Sequence, residues 1–335
     1  MSLRFQPFTR SRVLVCLVAS LIMITPVHSL DLQGHRGARG LLPENTLPAF
    51  ARALSIGVST LELDCAITKD GVVVISHDAA LNPDITRGPD GQWLAHEGPA
   101  IASLTHEELR RYDVGRIRPG SQYAARFSQQ QPADGARIPR LAELFALVRK
   151  SANTSVRFSI ETKISPAQPD RTASPEVFIE SLISLIKNEK KLRRVMLQSF
   201  DWRTLQIAQH TAPEIPTVYL SAQQPWMDNI QAHAKSSPWN AGLHVSAFDG
   251  SLPRMVKAAG GAVWSPYYGE VTRDNVKEAQ DLRLQVVVWT VNSETDMRRM
   301  IALGVNGIIS DYPDLLRKVA ADLRMALPQA TAVDP

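Results

Sequence analysis

What the sequence is short of narrows the reading first. The 335-residue chain has only two cysteines, Cys16 and Cys65. Cys16 lies in an N-terminal apolar run, so a chain that loses this run keeps one thiol and forms no internal disulfide. A chain of this length can hold itself together by core burial without cross-links. Cys65, next to Asp64 in an apolar stretch, reads as a packing residue. Basic runs are also missing. The 37 Lys and Arg against 33 Asp and Glu give a net charge of +4 and a pI near 9.1. They are scattered, which excludes the basic patch that nucleic-acid binding needs.

Long hydrophobic runs are absent too. The conspicuous one, residues 13–24, is shorter than the roughly 20 residues a spanning helix needs. Arg4, Arg10 and Arg12 precede it, and Pro26, Val27 and Ser29 follow. A basic start, a short apolar stretch and small residues at Val27 and Ser29 make the pattern of a secretory signal peptide, cut after Ser29. The competing reading is a membrane anchor, but Pro26 ends the run too early, and no Cys stands at a lipoprotein position. The expected protein is therefore secreted or periplasmic, without a stable membrane anchor. Removing residues 1–29 takes away three Arg and no acid, leaving 34 basic residues against 33 acidic.

What remains is 44% hydrophobic and 21% charged over the whole chain, the balance of a globular protein with a sizeable core. Short apolar runs at 32–35, 60–67, 157–161, 195–199, 217–220, 262–265, 285–291 and 307–310 read as strands buried on both faces of a parallel sheet. Helical patterns alternate with them at 46–56, 175–190, 202–210, 252–259, 273–282, 294–303 and 313–321. The alternation predicts an α/β fold, a TIM (β/α)₈ barrel spanning residues 30–325, with 326–335 as a tail. Residues 243–248 also read as a strand and could displace the sixth. Residues 80–140 break the rhythm. They contain Gly88-Pro89-Asp90-Gly91 and a helical pattern at 105–112, and read as an insertion over the C-terminal strand ends.

The polar residues at the strand ends carry the chemistry. His35 and Arg36 close the first strand, where a barrel places its active site. A His there can move protons near neutral pH, and the Arg can hold a phosphate oxygen. Alternation places Glu62 and Asp64 on one face of the second strand, and Glu161 and Lys163 share a face farther on. Carboxylates in apolar strands are costly unless paired or bound to a cation. A salt bridge is the structural alternative, yet three carboxylates converging at one mouth form a hard oxygen site suited to Mg²⁺ or Ca²⁺. His77 ends another apolar run after the Asp70-Gly71 turn. Together the two histidines could serve as acid and base.

The residues His35-Arg36-Gly37, Pro43-Glu44-Asn45-Thr46, Glu62-x-Asp64, Asp70-Gly71 and His77-Asp78 stand in the order and spacing of the glycerophosphodiester phosphodiesterase family, which this chain resembles. Glu161-x-Lys163, Gln198-Ser199-Phe200, Trp289-Thr290-Val291-Asn292 and the stretch from Gly304 to Pro313 extend the likeness; Asn306 stands where the family usually has Asp. The resemblance implies one divalent cation on Glu62, Asp64 and Glu161, with Ca²⁺ ahead of Mg²⁺. It implies His35 and His77 as the acid/base pair, Arg36 and Lys163 on the phosphate, and Glu44 and Trp289 on the substrate side. The implied reaction is metal-dependent hydrolysis of small glycerophosphodiesters to an alcohol and glycerol 3-phosphate, with water or the neighbouring glycerol hydroxyl as nucleophile. Two alternatives remain beside it: a periplasmic organophosphate-binding protein without turnover, and a related lipid head-group phosphodiesterase.

The leader makes a direct prediction. N-terminal sequencing of protein recovered from outside the cytoplasmic membrane should begin at Leu30, and an intact Met1 on membrane-bound protein would overturn it.

Overall fold

The computed structural model describes residues 1–3 and 29–335. The expected leader, except at its ends, lies outside the described residues. From residue 31 the chain runs β1 (Asp31–Gly34), α1 (Leu47–Ile56), β2 (Thr60–Ile67) and β3 (Val73–Ile75). Next come α2 (His106–Leu109), α3 (Gln122–Arg126), α4 (Leu141–Lys150), β4 (Arg157–Thr162), α5 (Pro175–Asn188), β5 (Val195–Ser199) and α6 (Trp202–Thr211). The last part holds β6 (Thr217–Ser221), β7 (Gln223–Gln224), β8 (Met227–Asp228), α7 (Leu252–Ala258), β9 (Val263–Pro266), α8 (Arg273–Asp281), β10 (Gln285–Val288), α9 (Glu294–Leu303), β11 (Gly307–Ser310) and α10 (Pro313–Asp322).

Eight of the strands close into a parallel barrel in the order β1, β2, β4, β5, β6, β9, β10, β11, and β1 pairs with both β2 and β11. Closure removes the free edges of the parallel sheet. Pleat alternation divides the residues of each strand. In β2, Leu61, Leu63 and Cys65 join the main core beneath the helices, while Glu62 and Asp64 take the opposite face. The barrel interior is itself two-sided. Met196, Val218, Val263, Val287 and Ile309 form an apolar cluster with Trp289 against it. Gln33, Thr60, Glu62, Asp64, Ser159, Glu161 and Gln198 are among the buried polar residues of β1, β2, β4 and β5.

Helix α1 shows how the sequence sets one element. Thr46 caps its N-terminus by accepting from the Ala49 N–H, proline lies in its first turn, and Gly57 ends it in the left-handed region. Its buried face is Ala49, Phe50, Ala51, Ala53 and Leu54, the spacing that one helix side requires.

Several boundaries differ from the sequence reading. The eighth barrel helix, α4, was not anticipated. Leu141, Leu144, Phe145, Leu147 and Val148 bury its face, but the helix follows the irregular end of the insertion and not a barrel strand. Residues Val245–Phe248 form a 3-10 turn and not a strand, so the sixth barrel strand is not displaced. Strand β10 stops at Val288 rather than at residue 291. Residues 326–335 lie against the barrel wall: Thr331 donates its N–H to Leu54 O at 2.9 Å, and Asn153 Nδ2 donates to Thr331 Oγ1 at 3.1 Å.

The connection from β2 to α4 holds the insertion. Strand β3 turns back antiparallel on β2, and the chain then builds a small core of its own from Leu81, Ile101, Leu109, Val114 and Ile138 on Ala66 and Val74. This excursion reaches the barrel mouth, where Gln130 Nε2 donates to Arg39 O at 2.7 Å.

Gly37 delivers the first strand end to that mouth. Its φ is +86°, and a Cβ there would stand 2.8 Å from Ala49 C and 2.9 Å from Phe50 N, both backbone atoms. Gly71 has φ +79° with nothing within 4 Å. Gly71→Ala should thus cost about 1–2 kcal/mol for its backbone conformation alone, and Gly37→Ala distinctly more, because α1 must also move. Equal losses by chemical denaturation would contradict this packing.

Candidate active site

A cavity of about 1340 Å³ opens at the C-terminal ends of the barrel strands, and His35, Arg36, Glu62, His77, Glu161, Lys163 and Trp289 line it. Asp64 lies beneath, 1% exposed. Glu62, Asp64 and Glu161 each offer an oxygen within 4.8 Å of the others. Strands β2 and β4 pair with Asp64 opposite Glu161, so the sheet register itself brings these carboxylates together. Three buried oxygen donors of this kind form a set that could hold a hard divalent cation.

Each carboxylate is held from outside the cluster. Glu62 accepts from the Arg36 N–H at 2.8 Å and from Gln198 Nε2 at 2.7 Å. Asp64 accepts from Asn45 Nδ2 at 2.9 Å and faces Arg36 Nε at 3.2 Å. Glu161 accepts from Lys163 Nζ at 2.8 Å. Burial, then the charge on Asp64, pushes the Glu62 carboxyl well above its ordinary range. Burial raises Glu161 to about 7 against the pull of Lys163. For Asp64 burial acts upward as well, but Arg36, His77 and Lys163 outweigh it and hold the group low. Arg36 and Lys163 leave the cluster short of positive charge, which a divalent ion would supply.

The two histidines are held differently. His35 Nδ1 lies 2.6 Å from Asp311 Oδ1. Asp311 stays ionised, because Arg39 and His35 overcome the effect of its burial. An ionised carboxylate only accepts, so Nδ1 carries the proton and Nε2 presents a lone pair. Burial, then the charge of Arg39, lowers the His35 ring to about 4, so it is neutral at pH 7. His77 Nδ1 lies 2.7 Å from Asp78 Oδ1, and Asp78 is braced by Asn82 Nδ2 at 2.7 Å. His77 is more exposed, at the cavity rim, and burial followed by Arg36 and Lys163 also lowers its pKa.

Glu44 does not line this cavity. It supports Arg36, whose Nη1 lies 2.5 Å from Glu44 Oε1, and it accepts from the Tyr123 hydroxyl of the insertion. Trp289 donates its indole N–H to Ser265 O at 2.9 Å, with its ring over the apolar side of the barrel. The sequence reading gave no site role to Asp311 and Asn292, though both stand in the stretches that resemble the family, and did not single out Arg39. Arg39 makes paired bonds to Asp311 at 2.8 and 3.0 Å, and Asn292 Nδ2 adds one at 2.7 Å. The available signal was an Asp directly after the apolar strand β11. Asn306, where the family usually has Asp, bonds Val286 at the opposite end of the barrel, its Oδ1 accepting at 2.8 Å.

An eight-stranded barrel with an acidic cluster and two carboxylate-held histidines at its mouth has the form of a hydrolase. The model of the glycerophosphoryl diester phosphodiesterase family matches residues 35–315. A glycerophosphodiester phosphodiesterase of Caldanaerobacter subterraneus subsp. tengcongensis is 29% identical over 282 residues, covering 84% of this chain and 94% of the relative. A candidate glycerophosphoryl diester phosphodiesterase from Silicibacter pomeroyi has a solved structure with a TM-score of 0.80 at 35% identity, covering 90% of this chain and 96% of that one. A phosphodiesterase from Oleispira antarctica, solved in complex with the product sn-glycerol-3-phosphate, shares the fold at a TM-score of 0.63 and 21% identity, covering 88% and 97%. The chain belongs to the glycerophosphoryl diester phosphodiesterase family, and so to the phosphoric diester hydrolases.

The crowding of carboxylates makes a prediction that needs no substrate. In chelator near neutral pH, Glu62→Gln should raise the unfolding free energy by about 1 kcal/mol, because the amide avoids the cost of burying a carboxyl that burial and Asp64 push well above its ordinary range. Asp311→Ala should lower it by about 3–5 kcal/mol, because Arg39 is left buried and unpaired. Thermal or denaturant unfolding of both variants checks the opposite signs, and a shared sign would show the charges misassigned.

Proposed function

We propose that this protein hydrolyses glycerophosphodiesters to an alcohol and glycerol 3-phosphate, with a divalent cation on Glu62, Asp64 and Glu161. The observation that carries the reading is the pairing of an oxygen cluster with two histidines across one cavity. A non-catalytic binder of organophosphates needs no such pair. The family to which the chain belongs supports the reaction class, and the product complex of the Oleispira phosphodiesterase supports the product.

When bound, the cation would supply Lewis-acid charge stabilisation at the non-bridging phosphate oxygens. Ca²⁺ stays ahead of Mg²⁺ in this reading, and the all-oxygen set would accept either hard ion. The chain does the rest. Arg36, braced by Glu44, and Lys163, braced by Glu161, face the phosphate with fixed positive charge. His35, neutral and with Nε2 free, takes the proton from the nucleophile. His77, at the rim where the alcohol departs, must enter the step protonated on both ring nitrogens; it then gives the Nε2 proton to the leaving oxygen and keeps Nδ1–H on Asp78. Asp311 and Asp78 hold the two rings at Nδ1, so each works through Nε2. We also propose that the protein acts outside the cytoplasmic membrane, because residues 1–29 carry the basic start, short apolar run and small residues of a cleavable leader.

Substitution separates the roles. His35→Ala and His77→Ala should each lower kcat by about 10²–10⁴-fold and change KM much less. Arg36→Ala and Lys163→Ala should raise KM as well, because their charges meet the phosphate before and during reaction. Near-parental kcat with a raised KM in both histidine variants would reassign the histidines to binding. Calorimetric titration should find Ca²⁺ and Mg²⁺ affinity weakened in Asp64→Asn, and unchanged affinity would remove the cluster as the cation site.

A further inference from the structure

The cavity has a second wall that the hydrolytic chemistry does not use. Trp226 sits on the short hairpin of β7 and β8, Tyr267 follows β9, and Trp289 follows β10; all three line the cavity that holds the histidines and Lys163. Their ring centroids form a triangle, with Trp226 to Tyr267 at 5.2 Å, Trp226 to Trp289 at 6.0 Å and Tyr267 to Trp289 at 5.8 Å. The planes meet at 82°, 83° and 61°. Three rings at these spacings and inclinations pack edge to face, so they form a corner-like cluster and not a stack. Phe200 extends it, 5.3 Å from Trp289 at 88°.

Core packing does not explain this group. Trp226 is 60% exposed, which leaves a large apolar ring in water at the rim of the cavity. The hairpin that carries it is tied down all the same. Glu270 Oε1 accepts from Gln223 N–H and from Gln224 Nε2, both at 2.7 Å. Trp289 is fixed through its indole bond to Ser265 O. The cluster is therefore held in place at the cavity wall.

Its charge differs from that of the phosphate end. Residues 221–231 and 265–272 contain no Lys or Arg, and they include Asp228 and Glu270. One ring beside the corner already receives a cation, since the Arg299 guanidinium lies 5.7 Å from the centre of Tyr268. Aromatic faces carry negative potential, and desolvated cations over several of them are bound through it. A sugar asks for one flat platform and an acyl chain for an elongated slot. A compact aromatic cluster with one exposed ring, Trp226, at the cavity rim suits a compact cation that is apolar on its surface.

We propose that Trp226, Tyr267 and Trp289 form a subsite for a quaternary ammonium group on the substrate's leaving alcohol, so that choline diesters are favoured over uncharged ones. This rests on the phosphodiesterase reading above and adds a head-group class to it. The cation-repelling Arg36 and Lys163 belong to the phosphate end, and the segments that carry Trp226 and Tyr267 hold no Lys or Arg of their own.

The test compares kcat/KM for glycerophosphocholine and glycerophosphoglycerol. The parent should favour choline by roughly tenfold, Trp226→Ala should bring the ratio close to one, and Trp226→Phe should keep part of it. A parental ratio near one, or an unchanged ratio in Trp226→Ala, overturns the subsite. A second measurement needs no turnover: saturation-transfer NMR on the methyl protons of tetramethylammonium. Signal transfer with the parent and its loss in Trp226→Ala supports the corner, and no transfer with the parent refutes it. If neither diester is hydrolysed under any cation, the phosphodiesterase reading falls, while the tetramethylammonium experiment still decides the corner. Circular dichroism on the variants controls for folding.

Discussion

Glu62, Asp64 and Glu161 place three carboxylates in the interior of a closed barrel, within 4.8 Å of one another. Charges so close repel strongly where water is scarce, and much of the surrounding structure serves to keep them there. The Arg36 N–H, Gln198, Asn45 and Lys163 each donate to one of them. Glu44 braces Arg36 in turn, and Tyr123 of the insertion donates to Glu44. The insertion is thus coupled to the acidic cluster through three successive contacts. A divalent cation would relieve the same repulsion and turn a structural strain into a binding site.

The barrel supplies this arrangement through register and alternation. Parallel pairing sets Asp64 beside Glu161 and Glu161 beside Gln198, so the polar sector runs across three adjacent strands. The other side of the interior is apolar and ends in Trp289. A phosphodiester has one charged centre and two carbon arms of different character. A cavity with one ionic wall and one aromatic wall can receive these in one orientation, and orientation is what an in-line displacement needs.

The parts legible in the sequence were those with local periodicity. The two carboxylates of β2 share a face because side chains alternate, and that follows from Leu61-Glu62-Leu63-Asp64 alone. Helices such as α9 carried their cap, Ser293, in view. The unread parts depend on distant partners. Asp311 is 276 residues from His35 in sequence, yet bonded to it, and no spacing rule connects them. Helix α4 escaped because its apolar face starts straight after the irregular insertion. Glu44 looked like a loop residue because its partners, Arg36 and Tyr123, meet it only once the chain is folded. Trp226 gave no signal at all, being a lone aromatic in a polar stretch.

The central claim is that the acidic cluster and the histidine pair act together as a metal-dependent phosphodiesterase. The most direct measurement is the release of glycerol 3-phosphate from glycerophosphocholine by the purified protein, first in excess chelator and then after Ca²⁺ or Mg²⁺ is restored. The account predicts negligible release in chelator and full recovery on adding back the cation. Release that is equally fast in chelator, or no release with either ion present, would contradict it.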